Sequence, residues 1–127
     1  MSKSPGHDQH PDHRVQEQPV GVWMKVEVDG ELLADSIDVV RVVEDKHPVR
    51  YYFPRSDVSM SRLERTTTTS TCPFKGRAHY YALKMGSHTI PDAVWTYEDP
   101  YDEHHRLQGR LVFWEEKIPG LRIEPKA

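Results

Sequence analysis

The sequence predicts a small, mainly β domain in which most strands pair antiparallel. Seven or so short segments are rich in β-branched and aromatic residues, and glycine, proline and Asp-Pro turns separate them. Helical spacing of apolar residues is confined to one stretch, so we expect one short helix or helical turn. At 127 residues, the chain has the length of a single domain and can bury roughly 60 to 70% of its unfolded surface.

The composition divides the chain into a disordered N-terminal tail, residues 1–19, and a single β-rich domain, residues 20–127. After the first position, the tail contains Val15 as its one sizeable apolar residue. Burial of so little apolar surface cannot offset the entropy that is lost when a chain becomes ordered. We therefore expect no regular structure before residue 20.

Three histidines in this tail follow a His-x-x-His-x-x-His spacing. His7, His10 and His13 would share one face of a helix and could hold a transition metal there. Pro11 interrupts such a helix, and no neighbouring residue fixes the three rings. The sequence therefore assigns no metal site.

The first strands of the domain are predicted between residues 20 and 53. Apolar and polar residues alternate over 22–28 and end at Asp29-Gly30, which indicates a strand that enters a hairpin turn. The next strand is predicted over 37–43, and a third over 49–53. Over 56–64 the apolar spacing predicts a helical turn or two.

Further strands are predicted in the second half of the chain. They cover 78–83, 93–97 and 110–114, with a last short strand over 121–123. The threonine run at 66–69 is interpreted as an exposed strand or loop rather than as low-complexity sequence.

The charge and the cysteine content exclude several classes of function. The net charge of −3 and the pI of about 6.2 provide no basic surface for a nucleic acid. No run approaches the ~18–20 apolar residues of a membrane helix, and the first residues lack the apolar core of a signal peptide. One cysteine cannot form an internal disulfide, which favours a cytoplasmic location.

The segment 71–76, Thr-Cys-Pro-Phe-Lys-Gly, is the strongest candidate for a functional site. It contains the only thiol of the chain, Cys72, and the primary amine of Lys75. An ammonium group beside the thiol would favour the thiolate that nucleophilic catalysis requires. Gly76 permits a backbone conformation or a close approach that a side chain would forbid. The alternative is structural, with a small buried cysteine and a solvated lysine in a turn.

Two carboxylates and three aromatic residues are further candidates. Glu44 and Asp57 stand at the ends of apolar segments, where a carboxylate can act as a base or accept hydrogen bonds. They can equally be surface charges, and Asp57 can cap a helix. Tyr52, Trp95 and Tyr97 can form the walls of a ligand pocket or pack in the core.

An ordered set of short motifs links this chain to a known family. The motifs are Gly30-Glu31, Ala34-Asp35-Ser36, Glu44, Tyr52-Phe53-Pro54-Arg55, Asp57-Val58, Cys72-Pro73-Phe74-Lys75-Gly76, Ala78, Tyr80-Tyr81 and Trp95-Thr96-Tyr97-Glu98-Asp99-Pro100. Over nearly all of residues 20–125, the set resembles a bacterial family of small domains of unknown function that also carries a nucleotidyltransferase-like label.

The resemblance implies an antiparallel β-tent fold, similar to the Mss four-like chaperone and to the methionine sulfoxide reductase B domains. Relatives of that fold often bind zinc through pairs of cysteines, and this chain has no such pair. Nucleotidyl transfer normally uses closely spaced aspartates that hold divalent metal ions. The nearest approach is Asp35 with Asp38, which would face opposite sides of a strand.

Three functional hypotheses follow, with the nucleotidyl transfer suggested by the family label as a further alternative, and the sequence identifies no cofactor for any of them. The first is a domain that binds an unidentified small molecule, with the 72–76 loop as the floor of the pocket and Lys75 or Arg55 available for an anionic group. The second is an enzyme with Cys72 as nucleophile, Lys75 to stabilise charge and a carboxylate as acid or base. The third is a protein-interaction module that pairs through an exposed strand edge.

Overall fold

Ten strands form two antiparallel sheets in the computed structural model, which describes residues 2–126. The terminal residues of the predicted tail and domain, Met1 and Ala127, lie outside the described residues. The strands are β1 Val15–Pro19, β2 Met24–Val28, β3 Glu31–Ser36, β4 Val40–Glu44, β5 Arg50–Phe53, β6 Leu63–Cys72, β7 Gly76–Met85, β8 His88–Tyr97, β9 Leu111–Phe113 and β10 Leu121–Pro125. The prediction of a mainly β, antiparallel domain is confirmed.

Seven strands form the larger sheet and three form the smaller one. The larger sheet has the order β1-β4-β5-β9-β8-β7-β6, and the smaller has the order β10-β2-β3. Short connections between neighbouring strands, such as the Asp29-Gly30 turn between β2 and β3, account for the antiparallel pairing. Both residues of that turn have positive φ, at 51° and 84°, which suits the asparagine-, aspartate- or glycine-rich turns of hairpins.

The helical elements in residues 2–126 are short. α1 covers Pro5–Gln9, and four 3-10 helices cover Arg55–Asp57, Met60–Arg62, Asp102–Leu107 and Glu115–Lys117. The first two 3-10 helices confirm the helical turns that were predicted over 56–64. Within the described part of the chain, no helix has the length and apolar character needed to cross a bilayer.

The structure corrects the prediction of a disordered tail. β1 pairs with β4 along its whole length, from Val15 opposite Glu44 to Pro19 opposite Val40. The strand is held mainly by main-chain hydrogen bonds, which any residue except proline can donate. A count of apolar side chains therefore could not detect it.

Two apolar clusters lie on opposite faces of the larger sheet. The main core fills the space between the two sheets, and Phe53 and Phe113 pack there edge to face with ring centroids 6.2 Å apart. The other face carries a smaller cluster that includes Tyr52 and is covered by Leu107. Because adjacent residues of a strand point to opposite faces, β5 contributes Phe53 to the main core and Tyr52 to the second face. Most of the functional candidates lie on this second face.

Candidate functional site

A cavity of about 490 Å³ opens on the second face of the larger sheet, beside the turn that joins β6 and β7. Its walls are mostly apolar and aromatic, and its charged lining residues are few. Six of the residues predicted as functional from the sequence line the cavity: Cys72, Lys75, Glu44, Tyr52, Trp95 and Tyr97. The structure thus brings together residues that are as far apart in the chain as Glu44 and Tyr97.

Strand register explains why the aromatic residues form one wall. Tyr52 on β5 lies opposite Val112 on β9, Val112 lies opposite Trp95 on β8, and Trp95 lies opposite Tyr80 on β7. Residues that lie directly opposite in an antiparallel sheet share a face. The row therefore crosses four adjacent strands, and Tyr97, two residues after Trp95, extends it along β8.

Trp114 closes the outer side of this wall. Its ring is nearly perpendicular to that of Trp95, with centroids 5.7 Å apart at 84°, and lies 6.5 Å from the ring of Tyr80. Edge-to-face contacts of this kind hold aromatic rings in fixed relative positions. The cavity therefore has two indole walls at right angles to each other.

Arg50 introduces a positive charge beside the indole wall. Its guanidinium carbon lies 5.3 Å from the centroid of the Trp95 ring, a cation–π distance. Arg50 Nη1 also donates a hydrogen bond to Glu116 Oε1 at 2.7 Å, on the outer side of the cavity. Glu115 Oε2 lies 4.0 Å from the same nitrogen. Both carboxylates are exposed, and exposed ion pairs are weak because water competes for each partner, so an anionic ligand can replace them at the guanidinium.

A buried ion pair forms the opposite, polar end of the cavity. Lys75 Nζ donates a hydrogen bond to Glu44 Oε1, and the two side chains are only 7% and 8% exposed. Glu44 Oε2 accepts a hydrogen bond from His13 Nε2 at 2.9 Å and lies 3.6 Å from His47 Nε2. Both oxygens of this carboxylate are therefore held by nitrogen groups.

These contacts set the ionisation of Glu44. Burial raises the pKa of its carboxyl, but the hydrogen bond and charge of Lys75, the hydrogen bond from His13 and the charge of His47 outweigh burial. The net pKa lies below its ordinary value. Glu44 is consequently a carboxylate near neutral pH, which makes it a hydrogen-bond acceptor rather than an acid.

The two tyrosines of the cavity are neutral over the same range. Burial raises the pKa of Tyr52 well above its ordinary value, and burial followed by the nearby Cys72 raises that of Tyr97. Their hydroxyl groups therefore remain protonated and can donate hydrogen bonds to a ligand.

The predicted 72–76 loop is a tight turn between two long strands. Cys72 at the end of β6 lies opposite Gly76 at the start of β7, and the half-buried thiol faces the cavity. Gly76 has φ of 122°, and a Cβ there would lie 3.4 Å from the backbone oxygen of Asp99 and from the Cα of Pro100. Tyr101 N donates to Lys75 O at 2.9 Å and holds the turn from the same side.

Replacement of Gly76 by alanine is expected to destabilise the domain by about 1–3 kcal/mol, the range for a non-glycine residue forced into a sparsely populated backbone region. The backbone of residues 99–101 packs against this position, so the strain cannot relax without moving the site turn. Urea denaturation measures the change. Gly86→Ala, with φ of 53° in the left-handed region and open space around it, is the comparison. Equal losses would show that neither the rarer φ of Gly76 nor the close approach there adds to the cost.

Three predicted site residues have other surroundings. Asp57 Oδ2 accepts a hydrogen bond from Ser36 Oγ at 2.7 Å. Arg55 Nη1 donates to the hydroxyl of Tyr81 at 3.0 Å, and its guanidinium lies 3.9 Å from Glu98. Neither Asp57 nor Arg55 lines the cavity, and Gly76 shapes the turn without lining it.

Several lining residues could not be singled out from the sequence. Arg50 and Tyr80 can be assigned to the cavity only when the strand register is known. Arg50 then shares a face of β5 with Tyr52, and Tyr80 lies opposite Trp95. His47 and Trp114 also line the cavity, and His13 reaches Glu44 from outside the predicted domain. Among residues 2–126, no three His, Cys, Asp or Glu side chains converge in a way that would hold a metal ion.

The fold and the cavity define a class of protein: a small two-sheet β domain with an aromatic pocket that ends in a buried lysine–glutamate pair. A family model described as "Domain of unknown function (DUF427)", with the label NTP_transf_9, matches residues 17–124, and the chain belongs to this family. The family resemblance inferred from the motifs is thereby confirmed. A comparison with curated proteins gave no match.

Proposed function

We propose that this domain binds a small molecule that has a flat apolar body and an anionic group. The observation that carries the proposal is the cavity itself, in which an aromatic wall runs between Arg50 and the Lys75–Glu44 pair. Ligand pockets are typically apolar concavities of 300–1,000 Å³ with a few placed polar groups, and a volume of about 490 Å³ lies in that range.

The charges of the lining favour an anion. Arg50 and Lys75 supply two positive charges, whereas Glu44 is the one carboxylate that lines the cavity. The positive charge of Lys75 is neutralised by the buried Glu44, whereas Arg50 is paired only with the exposed carboxylates of Glu116 and Glu115. Arg50 is therefore the cation that an anionic group can engage by replacing an exposed partner. A guanidinium is suited to carboxylate or phosphate because it can donate two parallel hydrogen bonds.

The two polar ends divide the work of recognition. The flat part of a ligand would stack on one of the two indole rings, Trp95 or Trp114, and contact the other edge-on. At the Lys75–Glu44 end of the cavity, Glu44 would accept hydrogen bonds from ligand donors, and the protonated Tyr97 would donate to ligand acceptors. The β-tent architecture implied by the family resemblance is part of this proposal, and the two antiparallel sheets support it.

Nucleotidyl transfer, which the family label suggests, has less support from the side chains. Asp35 Oδ2 accepts a hydrogen bond from Lys126 at 2.8 Å, and Asp38 Oδ2 accepts one from Arg110 at 3.2 Å. The two aspartates that come closest in sequence to a metal-binding pair are thus each engaged with a different cation. A binding domain accounts for the cavity without requiring them.

Tryptophan fluorescence tests the proposal directly. The chain has three tryptophans, and Trp23 lies beside Lys126 at the smaller sheet, so Trp23→Phe leaves the two that line the cavity. Phenyl phosphate and benzoate are expected to quench this fluorescence saturably, and benzylamine far less. Arg50→Gln should weaken phenyl phosphate binding by about tenfold or more, because a hydrogen bond to a charged group contributes roughly 1.5–3 kcal/mol.

Arg65→Gln is the matched control for this experiment. Arg65 is also an arginine paired with a carboxylate, Glu98, but it does not line the cavity, and its replacement should leave binding unchanged. Equal binding of phenyl phosphate and benzylamine would contradict the choice of an anion. Quenching by none of the probes, with a nucleoside triphosphate included, would contradict the pocket as a ligand site.

A second candidate function is an enzyme in which Cys72 is the nucleophile. The observation that favours it is the position of the only thiol in the same cavity as the Lys75–Glu44 pair. In this case iodoacetamide should alkylate Cys72 faster than it alkylates a free cysteine. An ordinary rate of alkylation, slowed when phenyl phosphate occupies the cavity, would favour the binding domain.

A further inference from the structure

The residues before β1 form a strap, residues 4–13, that lies on the turn between β6 and β7. Ser4 Oγ and Gly6 N both donate hydrogen bonds to Pro73 O at 2.8 Å, and Ser4 N donates to the carboxylate of Glu103. Ser4 is almost fully buried by these contacts. The strap is therefore attached to the turn that carries Lys75.

The three spaced histidines of the strap surround one aromatic side chain of that turn. The ring of His13 stacks on Phe74 at 4.1 Å and 20°, the ring of His7 meets it edge-on at 4.9 Å, and that of His10 lies at 6.4 Å. His7 also contacts His104 through their Nε2 atoms at 2.8 Å. The three histidines of the His-x-x-His-x-x-His spacing therefore contact the domain at Phe74.

His13 links the strap to the polar end of the cavity. Its Nε2 bonds to Glu44 Oε2 at 2.9 Å, while Lys75 takes Oε1 of the same carboxylate. Stacking on Phe74 fixes the plane of the imidazole, and this fixes the direction of its hydrogen bond. Without His13, one oxygen of a carboxylate that is 8% exposed would keep only His47, at 3.6 Å, as a neighbour.

We propose that His13 is a positioning residue for the binding site, which holds Glu44 in the orientation that the cavity requires. The proposal rests on the proposed function, because it assigns His13 a part in ligand affinity. The family match begins at residue 17, so His13 lies outside the matched domain. His13 would thus tighten the pocket from outside the residues that the family model matches.

Two replacements of His13 separate the hydrogen bond from the stacking. His13→Phe keeps an aromatic ring on Phe74 but removes the donor to Glu44, and His13→Gln keeps an N–H donor but removes the ring. In full-length protein with Trp23→Phe, His13→Phe is expected to weaken phenyl phosphate binding about tenfold. His13→Gln should restore binding to within about threefold of the parent, and His10→Phe should bind like the parent.

Attachment of the strap is measured separately, by tryptic cleavage after Arg14. The strap must leave the domain before a protease can take hold of its backbone. A Cβ at Gly6 would lie 2.7 Å from Pro73 O, so Gly6→Ala should speed cleavage and weaken binding together. His13→Phe should bind weakly while it is cleaved slowly. Gln9→Ala, at an exposed strap position, is the control for both measurements.

A readout without ligand keeps the two proposals distinguishable. The pKa of Glu44, followed by the NMR shift of its carboxyl carbon, should rise in His13→Phe and stay low in His13→Gln, since the hydrogen bond from His13 is one of the contacts that lower it. An unchanged pKa in His13→Phe, or unchanged phenyl phosphate binding, would overturn the positioning role. A risen pKa with no binding of any probe to the parent protein would overturn the proposed function instead.

Discussion

Replacement of Lys75 by methionine is expected to lower the free energy of unfolding by about 3–5 kcal/mol, the range for removal of one partner of a buried ion pair. The change leaves the Glu44 carboxylate 8% exposed with its main cation gone. A loss of this size is a large fraction of the roughly 5–15 kcal/mol of a typical domain. Urea denaturation of the full chain measures it, and the melting temperature should fall by roughly 10 °C or more.

The double variant Glu44→Leu with Lys75→Met is the control for this prediction. When both charges of a buried pair are replaced by apolar groups of similar volume, stability is often nearly unchanged or improved. We therefore expect the double variant to be more stable than Lys75→Met alone. If the double variant loses as much free energy of unfolding as the two single variants together, the two charges are not coupled. Water then solvates each of them at the polar end of the cavity.

The acid range gives an independent test of the same pair. The pKa of Glu44 is lowered in the folded state, so its stabilising contribution is complete above the pKa of the unfolded chain, about 4.3. That contribution is lost as the pH falls through the lower folded pKa. Lys75→Met should therefore flatten the fall of stability below about pH 4.

The candidate site was predictable wherever its residues form a local pattern. Cys72, Lys75 and Gly76 stand together in one turn, and the cavity beside that turn contains both Cys72 and Lys75. Asp57 and Arg55 also belong to motifs, but the 3-10 helix at Arg55–Asp57 is not among the residues that line the cavity. A sequence motif can mark a residue as a candidate, but which side chains surround that residue in the fold depends on the strand order.

Strand positions were predictable where one face is buried, and less so elsewhere. β2 alternates buried and half-buried residues, and its period is visible in the sequence. β3 was not predicted, and the strand expected over 37–43 is β4 at Val40–Glu44, with Ile37 72% exposed. β6 is an edge strand whose ten residues are mostly exposed, so its pairing with β7 leaves no apolar pattern.

The strap illustrates the limit of composition as a predictor. Its attachment depends on backbone carbonyls such as Pro73 O and on rings that stack on Phe74, and neither contact requires an apolar residue in the strap. Hydrogen bonds and aromatic contacts to a distant turn can be recognised only when the distant turn has a known position.

The two faces of β5 give the last prediction. Phe53→Ala should destabilise the domain by about 3–5 kcal/mol, because Phe53 is fully buried against Phe113 between the sheets and its loss leaves a cavity. Tyr52→Phe, on the adjacent residue but the opposite face, removes only a hydroxyl from the ligand cavity and should change stability far less. Urea denaturation measures both.

For ligand binding, we expect Tyr52→Phe to have the larger effect and Phe53→Ala the smaller, the reverse of their effects on stability. Under conditions in which it is still folded, Phe53→Ala should bind phenyl phosphate with nearly unchanged affinity, because the main core and the cavity lie on different faces of the larger sheet. Tyr52→Phe removes a hydroxyl that can donate a hydrogen bond to a ligand in the cavity, and it should weaken the affinity for phenyl phosphate. A Phe53→Ala variant that is folded but binds tenfold more weakly would show that the two faces are coupled, and that the sheet transmits changes in the core to the site.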